Sequence, residues 1–473
     1  GVAPGSLSLP SGTTLVTTIA AGSTTSYNHT SLSASTQYNY IIIPFTWDGT
    51  NGATYNYYLT SAPTADATTA AGLPTVDVTT AASSITNNSA SSGGSSLVEG
   101  GSAITDKGVA YNTSTLPTIS NSTTNDGSGT ANFSSSLTGL SAQTLYYVRA
   151  YVTNSSGTGY GNEITFRTLS NPATAQASSL SASNSASGQL TLSWTGATFP
   201  SSGATQGGYA LIYSTGTPTL SSANGAAPTA GVGTLVTITP TNLPTSPTTS
   251  YVLSGLTGGT TYNFLLVPFT WDGTNASTYN YLTTSAPTAS ATAVTTASVT
   301  TTAASAITNS TASSGGSAIN AGGGTISAKG VVWNTSTAPT TANSSTNDGT
   351  GTASYSSSLT SLSAQTLYYY RAYVTNELGT AYGSESTFYT LSSPPTAQAS
   401  GLSASATSSS NINLIWSAAT FPSSGATTTG YVLLRATSPN TPSLGNGNGA
   451  APTAGANTTI VSSSISGAST STS

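Results

Sequence analysis

The chain has 473 residues, of which only 4% are charged, with a formal net charge of −5 and a pI near 4.5. Average proteins carry about 25% charged residues, and six Lys+Arg without a cluster exclude the basic footprint that nucleic acid or an acidic lipid surface demands. Cysteine is absent, which excludes disulfides and thiolate metal sites, and no apolar run approaches the length of a membrane-spanning helix.

Low charge with abundant Ser and Thr is a bias of low-complexity sequence, but 36% hydrophobic residues and 25 tyrosines, set in short alternating runs, argue against disorder. The same text also returns after about 222 to 224 residues: IPFTWDGTN at Ile43–Asn51 as VPFTWDGTN at Val267–Asn275, and LSAQTLYYVRAYVTN at Leu140–Asn154 as LSAQTLYYYRAYVTN at Leu362–Asn376. A long period repeated intact predicts a tandem array of domains.

In chain order, residues 1–71 read as the C-terminal half of a first type of unit, carrying Tyr38, Tyr40 and Ile42 on alternate positions. Residues 72–168 read as a second type, with Tyr146, Val148, Ala150 and Val152 alternating. Residues 169–294 are a complete unit of the first type, marked by Leu190, Leu192 and Trp194 and by Tyr262, Phe264 and Leu266. Residues 295–390 repeat the second type, and 391–473 are the N-terminal half of another first-type unit, including Trp416. The two end segments are expected to be halves, completed between neighbouring molecules or cut from a longer chain. Period-2 alternation between Gly, Asn, Asp and Ser turns, without a 3.6-residue period, predicts an all-β fold of antiparallel sandwiches with about seven strands each.

LTLSW at Leu190–Trp194 resembles the second strand of a fibronectin type III domain. GLTGGTTYNFLLVPF at Gly255–Phe269 and GLSAQTLYYVRAYVTN at Gly139–Asn154 resemble its turn and sixth strand, with Tyr262 and Tyr146 at the tyrosine-corner position and Tyr368 in the second copy. The 72–168 unit resembles more specifically a repeat common in secreted and surface proteins of Bacteroidota, through Asp106–Ser114, Thr124–Leu140 and Tyr146–Thr168. The resemblance implies a tandem array of fibronectin type III/Ig-like β-sandwich domains, found in adhesins, filaments and spacers of secreted hydrolases, at an extracellular or cell-surface location.

Catalytic chemistry has little to build on. His29 is the only histidine and its counterpart one period on is Leu253, so no shared acid–base residue recurs, and the chain is read as a non-enzyme. Asn125-Asp126-Gly127 and Asn347-Asp348-Gly349 supply one carboxylate each, which reads as a tight turn rather than a calcium loop. No cofactor or metal is expected. Trp47-Asp48 and Trp271-Asp272 lie beyond the sixth strand, where the indole plugs the junction with the preceding domain or stacks on a ligand. Tyr147, Tyr151, Tyr369 and Tyr373 alternate against the core-facing set and are expected to form an exposed aromatic face. Centring a hairpin on Ser156 pairs Tyr146 with Phe166, Val148 with Ile164 and Arg149 with Glu163; the second copy pairs Arg371 with Glu385. The expected partners are neighbouring domains of the same chain, self-association into fibres, and glycans. These features suggest a structural repeat region of an extracellular filament, stalk or surface fibre, with an adhesin module or the spacer of a secreted enzyme as alternatives.

Overall fold

The computed structural model describes residues 2–6, 8–19, 25–466 and 471–472. Among them helix is confined to three single 3-10 turns, Pro4–Ser6, Gly52–Thr54 and Ala276–Thr278. Everything else that is regular is strand, as alternating side chains and frequent turn residues dictate. Near the start, β1 (Gln37–Ile41) pairs with β4 (Thr64–Thr68), and β2 (Phe45–Thr46) with β3 (Asn56–Tyr57).

The next sandwich holds β5 (Thr75–Ser83), β6 (Ser89–Val98), β7 (Asp106–Asn112), β8 (Ser122–Thr123), β9 (Phe133–Thr138), β10 (Leu145–Asn154), β11 (Gly157–Tyr160) and β12 (Ile164–Arg167). One sheet runs β5–β6–β9 and the other β11–β10–β7–β8, with β12 also paired to β10. β11 and β12 are one strand position split by residues 161–163. Seven positions result, three against four, the fibronectin type III arrangement.

The same order recurs twice. In the first recurrence β13 (Ser178–Ala186), β14 (Gln189–Thr195) and β19 (Ser250–Leu253) form one sheet. The other contains β15 (Gln206–Ser214), β18 (Thr234–Asn242), β20 (Thr261–Trp271), β21 (Asn280–Tyr281) and β22 (Thr288–Thr292), and a hairpin of β16 (Thr219–Leu220) and β17 (Ala230–Val232) is added. In the second recurrence β23 (Ser298–Thr301), β24 (Ala312–Asn320) and β27 (Tyr355–Leu359) oppose β25 (Ala328–Asn334), β26 (Ser344–Ser345), β28 (Leu367–Asn376), β29 (Gly379–Tyr382) and β30 (Ser386–Tyr389). Beyond these, β31 (Ser400–Ala406), β32 (Ile412–Ser417) and β35 (Ser471–Thr472) form a sheet, and β33 (Gly430–Arg435) pairs with β34 (Thr459–Ser466). The chain is an all-β tandem array of sandwiches.

The cores follow from the alternation. Leu190, Leu192 and Trp194 of β14 are buried against Tyr209 and Leu211 of β15 and Phe264 and Leu266 of β20, each large side chain contributing about 1.5–3 kcal/mol on burial. The Trp194 ring meets Tyr209 edge-on at 5.4 Å, and Trp416 meets Tyr431 at 5.5 Å in the same way. The tyrosine corners close each sandwich. The backbone N–H of Ser141 donates to the Tyr146 hydroxyl at 3.0 Å, Ser363 to Tyr368 at 3.0 Å, Thr257 to Tyr262 at 3.3 Å and Ser33 to Tyr38 at 3.0 Å. At Tyr146 and Tyr368, which are buried, the bond satisfies a hydroxyl that would otherwise lose its water without replacement.

Two expectations need correction. The tyrosine ladder is not an exposed face: Tyr151 is 2% and Tyr373 6% exposed, while Tyr147 and Tyr369 are half-buried. Tyr151 stands opposite Gly108 and Tyr373 opposite Gly330. A Cβ on either glycine would lie within 3 Å of the facing ring, so each ring lies flat over a missing side chain. The segment after β7 then covers the ring edge, where the hydroxyl donates to the Thr124 carbonyl at 2.7 Å and, in the copy, to Thr346 at 2.8 Å. The register expected for the hairpin is observed at Tyr146↔Phe166 and Val148↔Ile164. At its tip, however, Asn154 pairs with Gly157, a one-residue offset absorbed at residues 161–163. Arg149 and Glu163 therefore take different partners. The Arg149 Nε donates to the Gly161 carbonyl at 3.1 Å and its guanidinium lies 4.6 Å from the Tyr160 ring centre. The Glu163 carboxylate accepts from the Leu116 N–H. Arg371 likewise donates to the Pro339 carbonyl at 2.7 Å and stacks on Tyr382 at 4.1 Å, and Glu385 accepts from Ala338 N–H.

Candidate functional site: the junctions between sandwiches

Short linkers bring the end of one sandwich against the start of the next, and the backbone polar groups gathered there must find partners. At residues 168–171 they do. Leu169 N donates to the Thr86 carbonyl at 3.0 Å, and Gln143 N to the Leu169 carbonyl at 3.1 Å. Ser170 N donates to the Thr278 carbonyl of the following sandwich at 2.9 Å, and the Asn280 amide donates to the Ser170 carbonyl at 2.7 Å. Thr168, Leu169 and Ser170 are all buried.

Gln143 ties the two sandwiches directly. Its Nε2 donates to the Ser170 hydroxyl at 2.8 Å, and its Oε1 accepts from the Thr205 hydroxyl of the next sandwich at 3.1 Å. Its backbone is left-handed, with φ of 55°, a conformation costing roughly 1–2 kcal/mol for a side-chain-bearing residue. The second copy repeats the device. Gln365, at φ of 53°, donates to the Ser392 hydroxyl at 2.8 Å and accepts from the Thr427 hydroxyl at 2.8 Å. Asn171 N donates to the Gly203 carbonyl at 2.6 Å and Ser393 N to Gly425 at 2.6 Å. A Cβ at Gly203 would sit 2.3 Å from the Asn171 amide nitrogen, so the loop carries glycine where the linker presses on it.

The other kind of junction joins close backbone contacts to asparagine side chains. Thr295 N donates to the Gly322 carbonyl at 2.8 Å, as Gly72 N does to Gly100 at 2.8 Å. The Asn376 amide bridges the carbonyls of Thr295 and Ala321, and Asn154 those of Gly72 and Glu99. Gly258–Gly259 lie directly against Gly322–Gly323, and a Cβ on Gly323 would fall 1.9 Å from the Gly259 nitrogen. In the earlier copy the Ser35 hydroxyl donates to the Gly101 carbonyl at 2.7 Å from the equivalent place.

The Trp271-Asp272 loop lies beside the 168–171 junction. The Thr270 hydroxyl, next to Trp271, donates to the linker carbonyl of Asn171 at 2.7 Å. Trp271 stacks on Tyr279 at 4.8 Å, with its Nε1 enclosed and unpartnered. Trp47 stacks on Tyr55 at 4.7 Å and is 44% exposed. Asp272 organises its own loop: Oδ1 accepts from the N–H of Thr274 at 2.8 Å and Asn275 at 2.6 Å. Partial burial opposes its ionisation, but these N–H donors outweigh it and hold the carboxyl below its usual range. Asp48 is lowered by the N–H groups of Asn51 and Thr50.

His29 lies in a ring cluster, its Nδ1 3.1 Å from the Tyr40 hydroxyl. The Asn-Asp-Gly loops are filled from within. The Lys107 ammonium, 4% exposed, donates to the carbonyls of Gly129 at 3.2 Å and Ala131 at 2.7 Å, and Lys329 does the same to Gly351 and Ala353. The Asp126 and Asp348 carboxylates accept from the hydroxyls of Ser135 and Ser357. No group of three or more metal-ligating side chains occurs among the described residues. A cleft of about 980 Å³ opens beside the 168–171 junction, lined by Glu163, Thr165 and Arg167 from one sandwich and Asn224 and Ser277 from the next.

The junction glutamines and the buried lysines escape a reading by motif, because neither belongs to a catalytic or ligand pattern. The signal that could have found Gln143 is the intact return of LSAQT, a polar residue kept in a turn where many would serve.

No protein-family profile and no curated protein matches the chain. Among solved structures it is similar to the FN1–FN3 domains of chicken CNTN1, with 14% identity, 68% of this chain and 100% of that chain covered, and a TM-score of 0.27. The fold assignment rests on the strand order instead.

Proposed function

We propose that the chain is the structural repeat region of an extracellular filament, stalk or surface fibre, acting as a stiff spacer. The observation that carries this reading is the twice-built glutamine junction, where Gln143 and Gln365 each bond the linker and the next sandwich. Flexible linkers leave such groups to water; here they are committed to fixing one domain against its neighbour. A surface poor in charge and rich in hydroxyls suits an exterior location, and the motif resemblance to surface repeats of Bacteroidota supports the same setting. Small-angle scattering of the recombinant chain tests the reading: a rod-like profile is expected, and the profile of a freely jointed string would overturn it.

A second reading, an adhesin module, draws on the cleft at the 168–171 junction with Glu163 and Arg167 on its wall. A glycan array probed with the whole chain tests it. Saturable binding weakened by Arg167→Ala is expected under that reading, and no binding above background removes it.

A further inference from the structure

The positions of the cations form a pattern that the spacer role does not require. All six Lys and Arg residues lie inside strands: Lys107 in β7, Arg149 in β10, Arg167 in β12, Lys329 in β25, Arg371 in β28 and Arg435 in β33. In a chain where connecting segments are frequent, none of them carries a cation. Acidic residues are spread more widely: Asp66, Asp77 and Asp106 lie in strands, while the others, among them Asp48, Glu99, Asp126, Asp272 and Glu377, lie in turns or loops.

From this pattern we infer that the array is built to resist proteases that cut after Lys or Arg. Such an enzyme binds its substrate as an extended segment, so a cleavable bond must lie in a stretch that can leave the fold; loop tips qualify and sheet interiors do not. The bonds after Lys107, Arg149, Lys329 and Arg371 lie in backbone bonded on both sides, and the bond after Arg167 ends β12, which pairs with β10 alone. The residues that follow, Gly108, Ala150, Thr168, Gly330 and Ala372, are all buried. The cations themselves are tied down. Lys107 and Lys329 are spent on loop carbonyls, while Arg149 and Arg371 stack on tyrosines. Arg167 precedes Thr168, whose N–H donates to the Thr144 carbonyl at 3.1 Å within the junction. Arg435 is the exception, exposed at the last position of β33 with Ala436 outside the strand.

Digestion of the native full chain by trypsin, read by intact-mass spectrometry, tests the inference. Cutting only after Arg435 is expected, over a time in which heat-denatured chain is cut after all six cations. A Glu-specific protease should cut native chain after Glu377, which stands in an exposed turn, showing that turns are reachable. The decisive variant is Thr248→Lys, which places a cation at an exposed position of the irregular segment 243–249. It should acquire a new tryptic cut after position 248 in the native state. Native cleavage after any of the first five cations overturns the proposal. So does an uncut Thr248→Lys, because protection would then be general rather than a consequence of where the cations stand.

Discussion

Replacing Gln143 with alanine should loosen one junction without unfolding either sandwich. The substitution deletes two side-chain hydrogen bonds, to the Ser170 and Thr205 hydroxyls. Each contributes about 0.5–1.5 kcal/mol net, so the junction loses about 1–3 kcal/mol. Since 1.4 kcal/mol is a factor of ten, local opening becomes about 5- to 150-fold more populated. The amides that report it are Leu169 N, bonded to Thr86, and Ser170 N, bonded to Thr278. Hydrogen exchange followed by mass spectrometry should show that acceleration at residues 169–171. Amides of β10 in the core, such as Val148, should exchange as before. Gln143→Gly separates strain from bonding: it loses the same bonds but relieves the left-handed backbone, so its sandwich should be more stable than that of Gln143→Ala. Unchanged exchange at 169–171 in Gln143→Ala would refute the claim that this side chain holds the junction.

Lys107→Met should lower the stability of its sandwich by about 1–3 kcal/mol, because the Gly129 and Ala131 carbonyls lose their donor in a buried loop; urea unfolding midpoints measure it. Gly108→Ala should cost a further 1–3 kcal/mol or so through overpacking, since the new Cβ would lie 2.2 Å from the Thr124 carbonyl oxygen and 2.9 Å from the Tyr151 ring, and near-ultraviolet circular dichroism should report the displaced tyrosine. Burial raises the hydroxyl pKa of Tyr151, Tyr281 and Tyr355. For groups raised in the fold, stability is fully present below the unfolded value of about 10 and is lost as pH rises through the folded value. Alkaline titration should therefore show part of the tyrosinate absorbance appearing only together with unfolding. Asp272 works in the opposite sense. A depressed carboxyl stabilises above its unfolded value of about 3.9 and loses that contribution as pH falls through the folded value, so Asp272→Asn should destabilise at neutral pH and have little effect under strong acid, by thermal unfolding at both.

The all-β class, the tandem period, the buried Trp194 and Trp416 and the tyrosine corners were determined by the sequence alone. Each depends on local alternation and on turn residues, and side chains that alternate on a strand sort themselves to the two faces whatever the rest of the chain does. The fate of the second face was a tertiary matter. Tyr147 and Tyr151 alternate with the core set and read as exposed, yet Gly108 of β7 opposite Tyr151 and the irregular segment through Thr124 cover the ring. The Arg149–Glu163 pairing failed for a related reason. The offset at residues 161–163 and the Leu116 amide that captures Glu163 belong to the path of neighbouring segments, which no period-2 pattern encodes. The junctions were the least legible of all. Gln143 is one polar residue in a turn until the next sandwich brings Thr205 to its carbonyl oxygen, 62 positions away in the chain. Alternation specifies which side of a strand is wet, but only the packed array decides which wet side another part of the chain will cover.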